Sequence, residues 1–258
     1  MSVGIAMLVH TALDRVEQVA RHWAAAGCPV ALHVDLNVPK DAYDWLETTL
    51  ADNPMIRFCK RHQCEWGRWG IVAASQSASE LLLAEFDDVH HVYLVSGACL
   101  PLRPVPDLID YLSRHRRTDF IESATTADVS WAKGGLQQER FTLRFPFSWK
   151  RQRRIFDQYV RLQRRLGLKR KIPDGLIPHM GSQWWCLTRR TLSAILQDPN
   201  RSGYDRYFRR VWIPDESYYQ TLARRFSNNI ESRSLTLSEF DHQGKPHVFY
   251  DDHMQLRS

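Results

Sequence analysis

The amino-terminal end of the chain switches between two hydrophobic patterns. Residues 3–9 are a short apolar run, residues 13–26 carry apolar side chains at helical spacing, and residues 29–34 are a second apolar run. Short apolar runs are typical of buried strands, and the order strand, helix, strand begins a parallel sheet. The sequence therefore predicts an α/β fold.

The second apolar run ends in His33, Val34 and Asp35. A carboxylate is thus expected at the carboxyl end of a strand, where open α/β sheets bind nucleotides. Asp35 is a candidate nucleotide ligand for this reason. It also precedes Asn37 and Pro39, so a turn-forming role for its side chain is equally open.

Composition favours one domain spanning residues 1–258. The chain has 258 residues, 43% of them hydrophobic, which is enough to bury a large core. No stretch approaches the roughly twenty apolar residues of a membrane span, and charges follow the first strand too soon for a signal peptide. A cytoplasmic protein, peripheral to a membrane at most, is expected. Five scattered cysteines indicate neither disulfides nor a zinc site.

A Pro-Asp-Glu sequence at residues 214–216 leads into an aromatic-rich helical segment. Pro214 ends the preceding extended segment, and Asp215 can cap a helix by accepting backbone N–H groups. Glu216 then lies in the first turn, where the helix dipole favours its ionised form. A carboxylate held in this way can act as a general base. An ordinary acidic first turn is the other interpretation.

Two further motifs accompany this sequence. A buried-strand pattern at residues 92–95 stops at Ser96-Gly97 and restarts at Pro101-Leu102-Arg103, and Gly-Ser-Gln-Trp-Trp occupies residues 181–185. In this order the three motifs resemble glycosyltransferase family fourteen, which includes the core-2 and I-branching β-1,6-N-acetylglucosaminyltransferases and the peptide O-xylosyltransferases. The resemblance covers nearly the whole chain. It implies a GT-A-type three-layer α/β/α sandwich around a mixed, mostly parallel sheet.

The resemblance also implies a reaction and roles for single residues. The reaction is an inverting transfer to a glycan hydroxyl from UDP-N-acetylglucosamine, with UDP-xylose as the alternative donor. Glu216 would be the catalytic base, and Asp35 would bind the uridine. The acceptor-binding positions of the family match Glu122, Arg140, Trp184 and Trp185. Cys99 replaces an acidic residue of many relatives, which leaves the identity of the acceptor open.

No Asp-x-Asp sequence occurs in the chain, although most GT-A enzymes bind a divalent metal with this motif. The nearest sequences are Glu85-Phe-Asp87 and Glu239-Phe-Asp241. Without a metal or another cofactor, cationic side chains must stabilise the departing diphosphate. The resemblance implies Arg233 in this role, and its planar guanidinium suits a diphosphate.

The second cation of the family's diphosphate clamp is a lysine in a later segment, and no such segment appears before Ser258. This predicts that the chain is one domain of a longer protein. The alternatives are that Lys245 has taken the role, or that UDP binds weakly.

Residues 149–171 form a basic segment in which ten of 23 residues are Lys or Arg. Ile155, Tyr159, Leu162 and Leu166 recur at helical spacing, which predicts a basic amphipathic helix inserted into the domain. A solvated helix face and an anionic partner, either a membrane surface or an acidic polysaccharide, are both open. Nucleic acid is not expected, because no known binding motif accompanies the charge.

Two other classes of function compete with transfer. One is a non-catalytic module on the same fold that binds glycans or polyanions. The other is a metal-dependent hydrolase whose ligands are grouped near the chain end: His247, Asp251, Asp252 and His253. Solvated charge is the usual explanation for such a group.

Overall fold

A computed structural model describes residues 2–128 and 136–239 of the chain. The strands, numbered in chain order, are β1 (Ser2–Val9), β2 (Val30–Val34), β3 (Ile56–Phe58), β4 (Val89–Ser96), β5 (Asp119–Ile121), β6 (Ala124–Thr125), β7 (His179–Met180), β8 (Trp185–Thr188) and β9 (Ile230–Glu231). Seven of them form one sheet in the order β3-β2-β1-β4-β8-β5-β9, and β6 pairs with β7 separately.

Strand direction decides which loops meet at each edge of the sheet. β1 pairs in parallel with β2 and β4, β2 with β3, and β5 with β9. β8 runs antiparallel to both of its neighbours, β4 and β5. The parallel strands therefore end at one edge, which also holds the beginning of β8. We call it the carboxyl edge, and this is where α/β sheets bind ligands.

Helices cover both faces of the sheet. They are α1 (Leu13–Ala25), α2 (Lys40–Leu50), α3 (Gly70–Glu85), α4 (Val105–Arg114), α5 (Glu139–Thr142), α6 (Arg153–Arg165), α7 (Arg189–Leu196), α8 (Arg201–Phe208) and α9 (Tyr218–Phe226). α1, α2 and α4 pack on one face, whereas α3, α7, α8 and α9 pack on the other. The predicted three-layer α/β/α sandwich around a mixed, mostly parallel sheet is confirmed.

The alternation of side chains along β4 shows how the two cores form. Val92 and Leu94 point into the core beneath α3 and α7, whereas Tyr93 and Val95 point into the core beneath α1. All four side chains are buried, which explains why this strand is a continuous apolar run. Burying each aliphatic side chain stabilises the fold by about 1.5–3 kcal/mol.

The predicted β-α-β start agrees with the structure to within one residue at most boundaries, since β1, α1 and β2 occupy Ser2–Val9, Leu13–Ala25 and Val30–Val34. Among the described residues, no helix has both the length and the apolar content that crossing a membrane requires.

The basic segment contains helix α6, which covers Arg153–Arg165. Its inner face consists of Phe156, Val160 and Gln163, all of them buried. Phe156 packs against Phe145 with 5.4 Å between the centroids of their tilted rings. Of the apolar row that indicated the helix in the sequence, only Tyr159 packs on the domain, against Phe147, whereas Ile155, Leu162 and Leu166 are exposed.

Candidate active site

The carboxyl edge gathers the ends of several strands and the candidate residues that follow them. Asp35 follows β2, Glu122 follows β5, and Arg233 lies two residues after β9. Trp184 directly precedes β8, whose reversed direction places its beginning at the same edge.

A cavity of about 420 Å³ opens at the ends of β1 and β2. Its wall is made of His10, Thr11, Leu13, Asp35, Asn37, Val38, Pro39, Ala42 and Cys64. The Asp35 carboxylate is buried, and its Oδ1 accepts the N–H of Asn37 at 2.8 Å. Asp35 thus forms the turn that the sequence left open and also lines the cavity.

Arg61 fixes the loop around Asp35, although nothing in the sequence marks this residue. Its guanidinium donates hydrogen bonds to three backbone carbonyls, those of Val34, Asp35 and Val38, at 2.7–3.2 Å. The guanidinium also lies over the ring of Tyr43, 4.4 Å from its centroid. The loop is therefore held in shape before any ligand enters the cavity.

Beneath the cavity, the rings of His33 and His62 stack at 5.7 Å. The backbone N–H of His62 donates to the ring nitrogen Nε2 of His33 at 2.8 Å, so this nitrogen must be unprotonated. Burial lowers the pKa of His33 to about 4, and the neighbouring His62 contributes to this decrease. His33 is therefore neutral at physiological pH and adds no charge beneath Asp35.

Among the described residues, two that are not glycine adopt left-handed backbone conformations, and both lie at this edge. Ala12, with a φ of 50°, follows His10 and Thr11 of the cavity wall, and Ile213, with a φ of 51°, directly precedes Pro214. This conformation is rare for a β-branched residue. Such strain is concentrated at functional sites, where the surrounding structure compensates for its cost.

The Pro214–Glu216 segment forms a 3-10 turn before α9, and we call it the Pro-Asp-Glu turn. The Ile213 N–H donates to the Gly67 carbonyl at 3.3 Å, which attaches the Pro-Asp-Glu turn to the loop that also carries Cys64 of the cavity. This loop therefore connects the cavity with the Pro-Asp-Glu turn.

Glu216 is held by Arg140. Arg140 Nη1 donates to Glu216 Oε2 at 3.0 Å, and the Arg140 guanidinium lies 5.4 Å from the ring centroid of Trp212. The Arg140 side chain is buried, whereas 28% of the Glu216 side chain is exposed. Burial raises the pKa of Glu216, and the charge of Arg140 opposes that rise. Glu216 is thus an oriented carboxylate that a substrate can reach.

Asp215 differs from its sequence prediction. It does not cap α9, which begins at Tyr218, and its side chain is buried. Among the described residues, Asp215 Oδ1 has no hydrogen-bond partner. Burial, together with the nearby Glu216, raises the pKa of Asp215 to about 7. Near neutral pH Asp215 is therefore partly protonated.

Glu122 joins the same site through the segment before β8. Glu122 Oε2 accepts the N–H of Ser182 at 3.0 Å, and the Gly181 N–H donates to the Glu216 carbonyl at 3.0 Å. Gln220 Nε2 donates to the Ser182 carbonyl at 2.6 Å. The structure thus brings Glu122, Glu216 and Arg140 together, although the sequence separates them widely.

The two adjacent tryptophans of the Gly-Ser-Gln-Trp-Trp motif have different environments. Trp185 is 0% exposed and packs on Tyr219 in the core, with 4.6 Å between ring centroids. It has no free surface for an acceptor, so the expectation that it binds one is corrected. Trp184 is only partly buried and remains a candidate.

An aromatic group lies beside the Pro-Asp-Glu turn. Trp66 packs against both Trp149 and Trp212, with ring centroids 5.7 and 6.3 Å apart. A cavity of about 310 Å³ lies next to this group, and its wall contains Trp149, Trp212, Phe156, Val160, Leu136, Asp157, Arg161 and Arg164. Trp149 and Trp212 are partly buried, and tryptophan rings on the wall of a cavity suit the apolar faces of sugar rings.

Arg233 lies at the outer end of the carboxyl edge. It pairs with Glu231, donates to the Tyr111 hydroxyl at 2.6 Å and lies over the ring of Phe120. Glu231 would have to release Arg233 before Arg233 could bind a diphosphate. Lys245, the other candidate of the clamp, lies outside the described residues, as do the hydrolase candidates His247, Asp251, Asp252 and His253.

Within residues 2–128 and 136–239, no three His, Cys, Asp or Glu side chains converge in the manner of a metal site. Glu85 and Asp87 precede β4 and therefore lie at the edge opposite the cavity. Glu239 is exposed, and Asp241 lies outside the described residues.

The fold and the residues at its carboxyl edge define an α/β protein of the GT-A-like class. A comparison with family models refines this assignment. The Core-2/I-branching enzyme family matches residues 30–256, so the chain belongs to this family, and membership implies glycosyltransferase activity. The resemblance to glycosyltransferase family fourteen is confirmed. Among curated proteins, none matches the chain.

Proposed function

We propose that the protein is an inverting glycosyltransferase that moves a sugar, N-acetylglucosamine by preference, from a UDP-sugar to a hydroxyl of a glycan acceptor. One observation carries the proposal: Glu216 is accessible and oriented by Arg140, at the same edge as the cavity lined by Asp35. A loop connects the two regions directly.

The chemistry follows from this arrangement. The Glu216 carboxylate removes the proton of an acceptor hydroxyl while the hydroxyl oxygen attacks the anomeric carbon of the donor. The new bond forms on the face opposite the bond to UDP, which breaks and leaves UDP with the electron pair. The configuration of the sugar therefore inverts, and Glu216 is left protonated.

The surrounding residues bind the two substrates. Asp35 binds the uridine, and Arg233 exchanges Glu231 for the diphosphate. Glu122, Arg140 and Trp184 position the acceptor, and the aromatic cavity beside Trp212 offers surface for more distant sugars of the same glycan. No metal takes part in this scheme, since the cations carry the charge of the leaving group.

Incubation of the protein with UDP-N-acetylglucosamine or UDP-xylose and a panel of glycan acceptors tests the proposal. We expect UDP release that depends on the acceptor and is faster with UDP-N-acetylglucosamine. Faster turnover of UDP-xylose would change the donor assignment. UDP binding without turnover of either donor would favour a non-catalytic module.

Replacing Asp35 by Asn should weaken UDP binding by about tenfold to a hundredfold, because a hydrogen bond to a charged group contributes about 1.5–3 kcal/mol. The Asn side chain can still accept the N–H of Asn37, so the turn persists. Titration calorimetry with UDP measures the effect, and Asp44→Asn on α2 is the matched control. Equal UDP affinity of wild type and Asp35→Asn would remove Asp35 from the uridine site.

Chelation tests the role assigned to the cations. We expect the transfer rate to be the same with and without excess EDTA, because cationic side chains replace the metal. The same assay with added manganese is the control. Loss of transfer with EDTA and recovery with manganese would contradict the proposal and make Glu239 and Asp241 candidate ligands.

A further inference from the structure

Helix α6 carries a second apolar row on its outer side. Ile155, Leu162 and Leu166 are 46%, 50% and 60% exposed, although the inner face of the same helix is buried. At 3.6 residues per turn these three side chains lie within about 40° of one another around the helix. The three side chains form an exposed apolar strip that follows α6 to Leu166, its C-cap residue. Tyr159 of the same row is partly buried and packs on Phe147 beside the strip.

Cations run along one border of this strip. At about 100° per residue, Arg154 and Arg165 lie next to the row on the side away from the inner face. Both are exposed, and neither forms an ion pair with another described residue. Lys169, just beyond the helix, is exposed as well. Several other cations of this segment are already paired, for example Arg164 with Glu139 and Lys171 with Asp174.

The exposed strip distinguishes between the possible environments of the helix. Three exposed aliphatic side chains do not stabilise a helix face that meets only water. An acidic polysaccharide would bind through the cations alone, so it does not account for the aliphatic side chains either. The surface of an anionic membrane matches both features, because aliphatic side chains enter the boundary of the acyl chains while the cations meet lipid phosphates.

We propose that α6 docks on a membrane surface that contains anionic lipids, with its axis parallel to the surface. Ile155, Leu162 and Leu166 enter the interface, and Arg154, Arg165 and Lys169 bind headgroups. The helix is about 20 Å long, so it lies on the membrane and does not span it. Docking does not depend on sugar transfer.

Cosedimentation with vesicles tests the proposal. We expect the protein to bind vesicles of phosphatidylcholine mixed with phosphatidylglycerol and to remain unbound with phosphatidylcholine alone. A variant with Arg154→Gln, Arg165→Gln and Lys169→Gln should bind the mixed vesicles about a hundredfold more weakly, because each cation contributes about fivefold. High salt should weaken the wild type in the same way.

A second variant, with Ile155→Gln, Leu162→Gln and Leu166→Gln, keeps all the charges and uses a residue of good helix propensity. We expect its binding to fall by at least about tenfold, while its binding remains sensitive to salt. The charge-matched control has Arg114→Gln, Arg116→Gln and Arg117→Gln, which precede β5 at the opposite edge of the sheet. It should bind vesicles like the wild type.

Three outcomes would overturn the proposal. One is the absence of wild-type binding to the mixed vesicles. Another is full binding by the triple aliphatic variant with unchanged melting temperature, which would indicate a polyanion partner. The third is an equal loss in the control variant, which would show that net charge alone attracts the protein. UDP affinity is measured separately on the same proteins. It tests the proposed function, whereas vesicle binding tests the docking of α6, so a failure of one can be told from a failure of the other.

Discussion

Glu216→Gln should lower the transfer rate by at least about a hundredfold, which is the scale of losing a general base. The amide has the size of the carboxylate and can still accept the hydrogen bond from Arg140 at its carbonyl oxygen, so the fold and UDP affinity should remain. The amide cannot take the proton of the acceptor hydroxyl. Steady-state transfer and UDP titration calorimetry on the same preparation measure the two effects.

The control for this variant is Glu80→Gln on α3, because Glu80 also pairs with an arginine, Arg201, and does not lie in the site. Transfer by Glu216→Gln near the wild-type rate would exclude Glu216 as the base.

The role of Arg140 as a positioning residue is checked by Arg140→Met. Arg140 opposes the rise in the pKa of Glu216. Its loss should therefore raise that pKa and move the acid limb of the pH–rate profile to higher pH.

Gly181→Ala should impair both folding and transfer. A Cβ atom on Gly181 would lie 1.9 Å from the carbonyl oxygen of Glu122, which is backbone and cannot rotate away. The two segments must therefore move apart, at a cost of about 1–3 kcal/mol. Because Gly181 also bonds to the Glu216 carbonyl, the movement should displace both carboxylates, and a displacement of about 1 Å can lower the rate by about a hundredfold.

The matched control is Gly203→Ala on α8, where an added Cβ meets no atom within 4 Å. Alanine in a helix interior should stabilise the protein by about 0.5–1 kcal/mol, and transfer should be unchanged. Thermal unfolding and transfer assays on both variants give the comparison. Wild-type stability and activity of Gly181→Ala would show that the contact with Glu122 is not needed for the site.

The framework of the fold was predictable because its signals are local. The apolar runs that became β1, β2 and β4 and the helical spacing that became α1 are properties of neighbouring residues. Parallel strands end at a common edge, so the position of Asp35 at that edge follows from the order of these elements. The pattern also indicated Glu216, since a proline followed by two carboxylates before a helix is a local signal.

The details of the site depend on contacts between distant residues, which local patterns do not encode. Arg61 binds carbonyls 23 to 27 residues earlier in the chain, and Arg140 reaches Glu216 across 76 residues. Nothing near Asp215 in the sequence indicates that its side chain is buried. Burial follows from tertiary packing, and burial is what raises the pKa of Asp215 to about 7.

Two comparisons within the chain show most clearly which features follow from local sequence and which follow from tertiary contacts. Trp184 and Trp185 are adjacent and chemically identical, yet only Trp185 is fully buried, because β8 begins there and turns its side chain into the core. In α6 both apolar rows have helical spacing, and the packing of Phe156 and Val160 on the domain leaves Ile155, Leu162 and Leu166 exposed. Residue order is enough to assign the fold class, the family and the candidate base, because each of them depends on local patterns and motifs. Which side chains face a substrate, a partner or the core depends on what packs against each residue, and that packing exists only in the folded chain.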